Sequence, residues 1–260
     1  MKELPADSAI AAGHVVEALG AWGDCRVIST LHGGNRNTVL LVERRGVRLV
    51  AKTSRRGTEA INWLVPVQEK AKKAGFEVPS FLPSDSGSLL VGGVTLETWI
   101  DGVHPSRADL SAWGRRIESF HALTRSWPQR PGSRSTLKLV NLDVGGDVDL
   151  TAMPPALVEV CRTAWRALAG EPTSAVHGDI NFTNLLVTPG GRIALLDWDE
   201  CRTDVSALDE LAVAELTGNR TREPDARFRD ALLAWEIAIS WRLEPDYARR
   251  MARELIPQAQ

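Results

Sequence analysis

The stretch that decides the fold is His177-Gly178-Asp179-Ile180-Asn181-Phe182-Thr183-Asn184-Leu185-Leu186-Val187, followed after a short turn by Ile193-Ala194-Leu195-Leu196-Asp197-Trp198-Asp199. Leu185 to Val187 and Ile193 to Leu196 are short apolar runs. Thr188-Pro189-Gly190-Gly191-Arg192 between them is a strong turn signal. The pattern predicts a β-hairpin of two short buried strands. Folding it brings Asn184, at its start, close to Asp197, at its end. Amide and carboxylate oxygens suit a hard cation, and magnesium takes only one or two protein oxygens, filling the rest with water and phosphate oxygens. Asp179, upstream of Asn184, can accept a proton from a hydroxyl. A base, an Asn and a metal-binding Asp in this order point to magnesium-dependent phosphoryl transfer. Turn and cap roles would account for His177, Asp179 or Asn184 singly, but not for all of them at these spacings.

His-Gly-Asp, an Asn five residues on, and an apolar strand ending in Asp-Trp-Asp resemble the aminoglycoside phosphotransferase family, relatives of choline and other small-molecule kinases. The motif covers Ala175 to Asp199, and weaker matches extend over most of the chain. The resemblance implies an α+β, two-lobed protein-kinase-like fold. An N-terminal antiparallel sheet lobe with a helix, residues 1–99, would bind the nucleotide. A mainly helical C-terminal lobe, residues 100–260, would carry catalysis and the acceptor. Asp179 would be catalytic, orienting the acceptor hydroxyl and taking its proton. Asn184 and Asp197 would hold Mg2+. His177 would orient the loop through backbone hydrogen bonds, Gly178 would permit a tight turn, and Asp199 would support the metal shell.

On the nucleotide side, Lys52 ends the apolar strand Val47 to Lys52, and by resemblance contacts the α- and β-phosphates. The family pattern puts a Glu near the start of the next helix, which makes Glu59 its ion-pair partner and Glu69 the alternative. A Glu at a helix start is also favoured by the helix dipole. Gly33, Gly34 and Asn35, in Gly33-Gly34-Asn35-Arg36-Asn37, lie where a phosphate-covering loop belongs, and exposed backbone N–H groups there could cradle a triphosphate. The stretch is neither a Walker A sequence nor G-x-G-x-x-G, and a plain hairpin turn accounts for it equally. In the family, backbone groups around Glu97-Thr98-Trp99-Ile100 bind the purine. Backbone contacts leave little trace in side-chain identity, so ATP and GTP both stand as donors.

Composition agrees with an ordinary globular protein: 260 residues, 43% apolar. No apolar run reaches the roughly 18 residues of a membrane span, and the first residues lack the apolar core of a signal peptide. Cys25, Cys161 and Cys201 are odd in number and widely spaced, suggesting neither a disulfide framework nor a zinc site. These features lead us to expect a cytoplasmic protein with no membrane partner. A net charge of −2 gives no reason to expect nucleic-acid binding. Residues 1–99 carry a net of +2 and residues 100–260 a net of −4, which suits a cationic acceptor as well as an ordinary solvated surface. Asp199, Glu200, Asp204 and Glu236 are the acidic candidates for such an acceptor. The nine tryptophans could form a cation cage, but Trp113, Trp165 and Trp235 fall on helical apolar patterns and read as core.

Elsewhere the pattern predicts a helix over Asp7 to Leu19 and strands over Val27 to Leu31, Val39 to Val42 and Val47 to Lys52. A helix over Thr58 to Ala74 should be kinked or broken at Pro66. A hairpin of Leu89 to Val91 with Val94 to Trp99 turns at Gly92-Gly93. Ser106 to Asp109 opens a helix to Leu123, and residues 126–152 form an irregular insertion. Helices follow from Pro154 or Pro155 to near Gly170, then over Ala207 to Leu216, Phe228 to Trp241 and Asp246 to Leu255. The leading functional expectation is an O-phosphotransferase acting on a small hydroxylated molecule such as an antibiotic. A metabolite kinase for an amino alcohol, amino acid or sugar is the alternative, and an inactive nucleotide sensor is a second. The oligomeric expectation is a monomer or homodimer. A protein kinase fits less well, because little chain separates Asp197 from the helix at Ala207 and no Ala-Pro-Glu follows.

Overall fold

A computed structural model of the chain describes residues 6–31, 37–106, 109–217 and 225–256. Helix α1 (Ala6–Leu19) precedes an antiparallel sheet of β1 (Cys25–Thr30), β2 (Val39–Arg44), β3 (Val47–Thr53) and, after helix α2 (Thr58–Lys73), β4 (Val94–Thr98). Arg44 pairs with Val47, so β2 and β3 are joined by two residues. Both have positive φ, 52° at Arg45 and 78° at Gly46, the turn geometry whose twist matches that of the flanking strands. Leu40, Val42, Leu49, Ala51, Val94 and Leu96 point to one face, where Val15, Leu19 and Trp22 cover them. The opposite face carries Val50, Lys52 and Glu97 into a cleft.

Helix α2 runs through Pro66 without a break, where the sequence led us to expect a kink or a break. Pro66 and Asn62 are both solvent-exposed, so the carbonyl that loses its N–H partner can turn to water. The buried stripe is Ala60, Ile61, Leu64, Val67, Gln68 and Ala71. The helix ends in a Schellman motif: the Phe76 N–H bonds the Ala71 carbonyl at 3.1 Å and the Gly75 N–H that of Lys72 at 3.0 Å, with Gly75 at φ 99°. That exit delivers Phe76 into the core shared with the rest of the molecule.

The remainder is mainly helical. Ser106 binds the Asp109 carboxylate through its N–H and hydroxyl, each at 2.7 Å. A 3-10 turn (Asp109–Ala112) then leads into α3 (Trp113–Leu123). The irregular insertion holds α4 (Thr136–Leu139), the two-residue strands β5 (Val144–Gly145) and β6 (Val148–Asp149), and a 3-10 turn (Leu150–Ala152). Then come α5 (Pro155–Arg166), β7 (Thr173–Val176), β8 (Leu185–Val187), β9 (Ile193–Leu195), β10 (Arg202–Val205), α6 (Ala207–Thr217), α7 (Ala226–Ser240) and α8 (Pro245–Leu255). Besides the antiparallel β5–β6 pair in the insertion, two sheet features differ from expectation. Leu89 to Val91 contributes only a bridge from Val91 to Val94. β7 and β10, unpredicted, pair antiparallel.

The core joins the two parts. Leu64, Val67, Phe76 and Val78 pack with Trp113, Ile117 and Phe120 of α3 and with Leu185, Ile193 and Leu195 of the β8–β9 hairpin. Two further chain segments flank that hairpin. Val103 exchanges hydrogen bonds with Val187 at 3.1 and 2.7 Å, and Glu77 bonds Ile193 and Leu195, both at 2.9 Å. Trp113, Trp165 and Trp235 are buried as expected. No described helix is long and apolar enough to cross a membrane.

Candidate active site

The β8–β9 hairpin forms as predicted, in the register Leu185–Leu195 to Val187–Ile193. Beyond it, the Leu196 N–H bonds the Asn184 carbonyl at 2.8 Å, fixing Asn184 one residue from Asp197. A 3-10 turn (Phe182–Asn184) precedes β8, capped by the Asn181 side chain, which accepts from the N–H groups of Thr183 and Asn184. Two amides hold the Asp179 carboxylate: Asn181 Nδ2 donates to Oδ1 and Asn184 Nδ2 to Oδ2, both at 2.8 Å. Asn184 Nδ2 also reaches the Asp179 carbonyl at 2.9 Å. With its NH2 group so engaged, Asn184 keeps its amide oxygen for a cation.

Lys52 Nζ stands between two carboxylates, 2.6 Å from Asp197 Oδ1 and 3.0 Å from Asp199 Oδ2. Burial alone would favour the neutral amine, but Asp199, Asp197 and Glu97 outweigh it and raise the Lys52 pKa above its usual value. Burial likewise acts to raise Asp197, yet the Lys52 charge and hydrogen bond hold it below the usual carboxylate range. Asp197 adopts φ 58°, rare for a side chain with a Cβ. Asn37 Nδ2 donates to the second acid, Asp199. The expected partners of Lys52 are corrected. Glu59 is exposed, off the buried stripe of α2, and Glu69 is engaged by Lys72 at 2.6 Å. Helix α2 turns Leu64 and Gln68 to the cleft instead.

Behind Asp179, His177 is fully buried. Its Nε2–H donates to the Leu196 carbonyl at 2.9 Å, and Nδ1 accepts from the Asp179 N–H at 3.3 Å. The Trp198 ring meets it edge-on at 4.9 Å and is itself 4% exposed; Trp198 borders the cleft and His177 does not. Asp209 of α6 accepts from the N–H groups of His177 at 2.6 Å and Gly178 at 3.0 Å. His121 of α3 backs Asp209 at 3.3 Å. Gly178 has φ +85°, and a Cβ there would lie 2.6 Å from Arg202 Nη1 and 2.8 Å from the Glu200 carbonyl. Sequence reasoning missed Asp209 and His121. At the start of a helix, Asp209 looks like a dipole-favoured acid, and its true partners are distant in sequence.

Lys52, Asp179, Asn181, Asn184, Asp197 and Asp199 line one cleft of about 640 Å3. One end is apolar: Leu31, Val39, Val50, Phe81, Ile100 and Leu186. Glu97 and Trp99 line that end too. Burial pushes the Glu97 carboxyl up to about 7 despite the Lys52 charge. Trp99 binds Asp101 through its indole N–H at 2.8 Å. The rest of the lining is mostly acidic, with Asp179, Asp199, Glu200, Glu236 and Glu244 beside Tyr247; Arg55, Arg56 and Asp147 also line it, Arg56 bound to Asp147 at 2.6 Å. Tyr247 donates to Glu236 at 3.2 Å, and burial and that carboxylate raise its pKa. Asp204 is not among the lining residues. It is fully buried and bound to Arg202 and Thr136, a structural acid rather than an acceptor contact. Trp241 lies away from the cleft on the Ala152 carbonyl. Gly33, Gly34 and Asn35 lie outside the described residues. Among the described residues no cluster of three or more His, Cys, Asp or Glu could hold a metal alone. A nucleotide-borne magnesium asks less, and the oxygens of Asp197 and Asn184 with Asp199 nearby match that need.

An antiparallel N-terminal sheet, a helical remainder and this cleft define a kinase-like fold. The model of the phosphotransferase enzyme family matches residues 27–252, and the chain belongs to that family. No curated protein matches the chain. Among solved structures, a thermostable mutant of aminoglycoside phosphotransferase APH(4)-Ia, in ternary complex with AMP-PNP and hygromycin B, aligns at TM-score 0.61 and 15% identity, covering 95% of this chain and 96% of that one. The choline kinase LicA from Streptococcus pneumoniae aligns at 0.59 and 14%, covering 88% and 94%. A microcompartment-associated aminopropanol kinase aligns at 0.59 and 16%, covering 95% and 94%. At these identities the likeness establishes the fold, and the membership establishes a phosphotransferase.

Proposed function

We propose that this phosphotransferase moves the γ-phosphoryl group of ATP, with Mg2+, to a hydroxyl of a small cationic molecule. The observation that carries the reading is Asp179, held through both carboxylate oxygens in the cleft that Lys52, Asp197 and Asp199 share with Glu200, Glu236 and Glu244. In this reading residues 1–99 hold the nucleotide and residues 100–260 the acceptor. The apolar end takes the purine against Val50, Phe81 and Leu186, with the Glu97 to Ile100 segment supplying backbone groups. Lys52 exchanges a carboxylate for phosphate oxygens. Asn184 and Asp197 hold magnesium, which neutralises phosphate charge when bound; Asp199 supports them. Asp179 orients the acceptor hydroxyl and takes its proton as transfer proceeds, positioned by Asn181 and Asn184. Glu200, Glu236 and Glu244 favour an acceptor carrying an ammonium group. A structurally similar protein bound to AMP-PNP supports an adenine nucleotide as donor. The three free thiols suit a reducing compartment such as the cytoplasm.

The test is mass-spectrometric detection of phosphorylated product with Mg2+ and ATP or GTP. The acceptor panel holds aminoglycosides, amino alcohols, amino acids and sugars. We expect product from an amine-bearing acceptor. Asp179→Asn should cut turnover at least about 1,000-fold while leaving nucleotide affinity within a few-fold, since the lost proton acceptor acts only during transfer. Near-normal turnover in that variant would remove Asp179 from its role. An aminoglycoside product would make the protein a resistance kinase, and a metabolite product a metabolic one. Nucleotide binding without any product would favour the sensor.

A further inference from the structure

The Lys52–helix ion pair of the kinase pattern is absent here, yet α2 is still tied to the reacting centre. Arg130, in the irregular insertion, is 1% exposed. Its Nε donates to the Ala60 carbonyl in the first turn of α2 at 3.2 Å. Its Nη1 faces three carbonyls of the metal-binding segment: Trp198 at 3.3 Å, Asp199 at 2.8 Å and Cys201 at 3.1 Å. Gln129 anchors the arginine from behind. Its Oε1 accepts from the Arg130 N–H at 2.8 Å and the Thr203 N–H at 3.0 Å, and its Nε2 donates to the Thr203 carbonyl at 2.8 Å. Arg56, fixed by Asp147 at 2.6 and 3.2 Å, reaches the same Asp199 carbonyl at 3.3 Å.

Four carbonyl dipoles meet the Arg130 charge, and among the described residues no carboxylate pairs with it. Its Nη2 is buried without a hydrogen-bond partner. A buried cation without a counter-ion is a poor way to gain stability, and a hydrophobic side chain would fill the space at less cost. What a guanidinium does that an apolar group cannot is span several acceptors in a rigid plane. Trp198 and Asp199 directly follow Asp197, whose left-handed backbone needs external support.

We propose that Arg130 is a positioning residue that couples α2 to the Asp197–Asp199 segment, in place of a lysine–glutamate pair, which is not formed among the described residues. It touches neither nucleotide nor acceptor. It fixes the peptides that carry the two acids and ties their position to the helix that walls the cleft. The catalytic side of this inference rests on the phosphotransfer reading; the structural side does not.

Hydrogen–deuterium exchange of the ligand-free protein tests the coupling directly. In Arg130→Met, exchange should rise at least about tenfold in both 58–65 and 197–202, and not in β2 or α7, because only those two segments share the guanidinium. Calorimetry should show Mg2+·AMP-PNP binding weakened about tenfold and AMP-PNP binding without metal changed less than about twofold, since the perturbed segment carries the metal ligands. Arg130→Lys keeps charge and length, and should reproduce most of both effects because one ammonium cannot span four carbonyls. If Arg130→Met does not fold, Arg130→Lys decides alone. Unchanged exchange in either segment of a folded variant would overturn the proposal. So would a uniform rise over the whole molecule, or equal weakening with and without metal. A wild-type protein that phosphorylates no acceptor would refute the phosphotransfer reading instead, leaving both measurements on Arg130 decisive.

Discussion

His121 gives the molecule a pH dependence that can be worked out from its surroundings. Its Nε2 lies 3.3 Å from Asp209 Oδ2 and its Nδ1 3.3 Å from Glu210 Oε1. Burial disfavours the imidazolium, but the two carboxylates outweigh it and raise the pKa from 6.5 to about 9. Asp209 is 2% exposed, so water screens this pair weakly; Glu210 is half exposed and contributes less. The folded state therefore keeps a proton on His121 between pH 6.5 and about 9 that the unfolded chain has released. Because the folded pKa is the higher one, this stabilisation is complete below pH 6.5 and is lost as pH rises through about 9. At about 1.4 kcal/mol for each pH interval, the full contribution is about 3 kcal/mol. The perturbation is His121→Gln, which keeps hydrogen-bonding capacity but cannot charge. Urea unfolding at pH 6, 7.5 and 9.5 should show the variant less stable by about 3 kcal/mol at pH 6, with the deficit shrinking toward zero at pH 9.5. Parallel pH profiles for the two proteins would refute the reasoning, for the imidazolium would then contribute nothing beyond shape.

Other perturbations have equally definite outcomes. Gly178→Ala places a Cβ 2.6 Å from Arg202 Nη1 on a backbone at φ +85°. It should cost about 2–4 kcal/mol in urea unfolding and displace Asp179 enough to suppress turnover; a variant within 0.5 kcal/mol and fully active, a margin of about the usual surface substitution, would contradict the packing. Asp204→Ala strands the Arg202 guanidinium, which is 2.8 Å from that carboxylate and 2% exposed. Chemical denaturation should register a loss of about 3–5 kcal/mol, whereas a neutral effect would mean that the Trp235 ring, 3.3 Å under Arg202, compensates the charge by itself.

The β8–β9 hairpin was legible because its signals are local: two apolar runs, a Pro-Gly-Gly turn, and candidate site residues at its ends. Most helices were legible through their apolar stripes. The partner of Lys52 was misread, although the stripe of α2 contains the correction. Ala60, Ile61, Leu64, Val67, Gln68 and Ala71 face inward, which leaves Glu59 off the buried face. The pairing of β7 with β10 left no readable pattern, since Arg202 and Asp204 look like surface residues until they are seen to satisfy each other inside the protein. Pro66 misled in the opposite sense, because its cost depends on whether the freed carbonyl can reach water. Arg130 reaches across 70 residues to Ala60, His121 across 88 to Asp209, and Asp209 across 32 to His177, and side-chain identity alone does not specify such partners.

The two segments that flank the β8–β9 hairpin have a mechanical consequence. Glu77 leads from α2 toward β4, and Val103 leads from β4 to the helices, so both are hydrogen-bonded to the same short ribbon. Any swing of the sheet against the helices must therefore turn about that ribbon. Points on an axle hardly move, however wide the arc at the rim. Asn184 and Asp197, at the two ends of the hairpin, would keep their separation through such a swing, while Lys52, out on the sheet, would be carried toward or away from them. Such a swing would change the reach of Lys52 while leaving the Asn184–Asp197 arrangement intact.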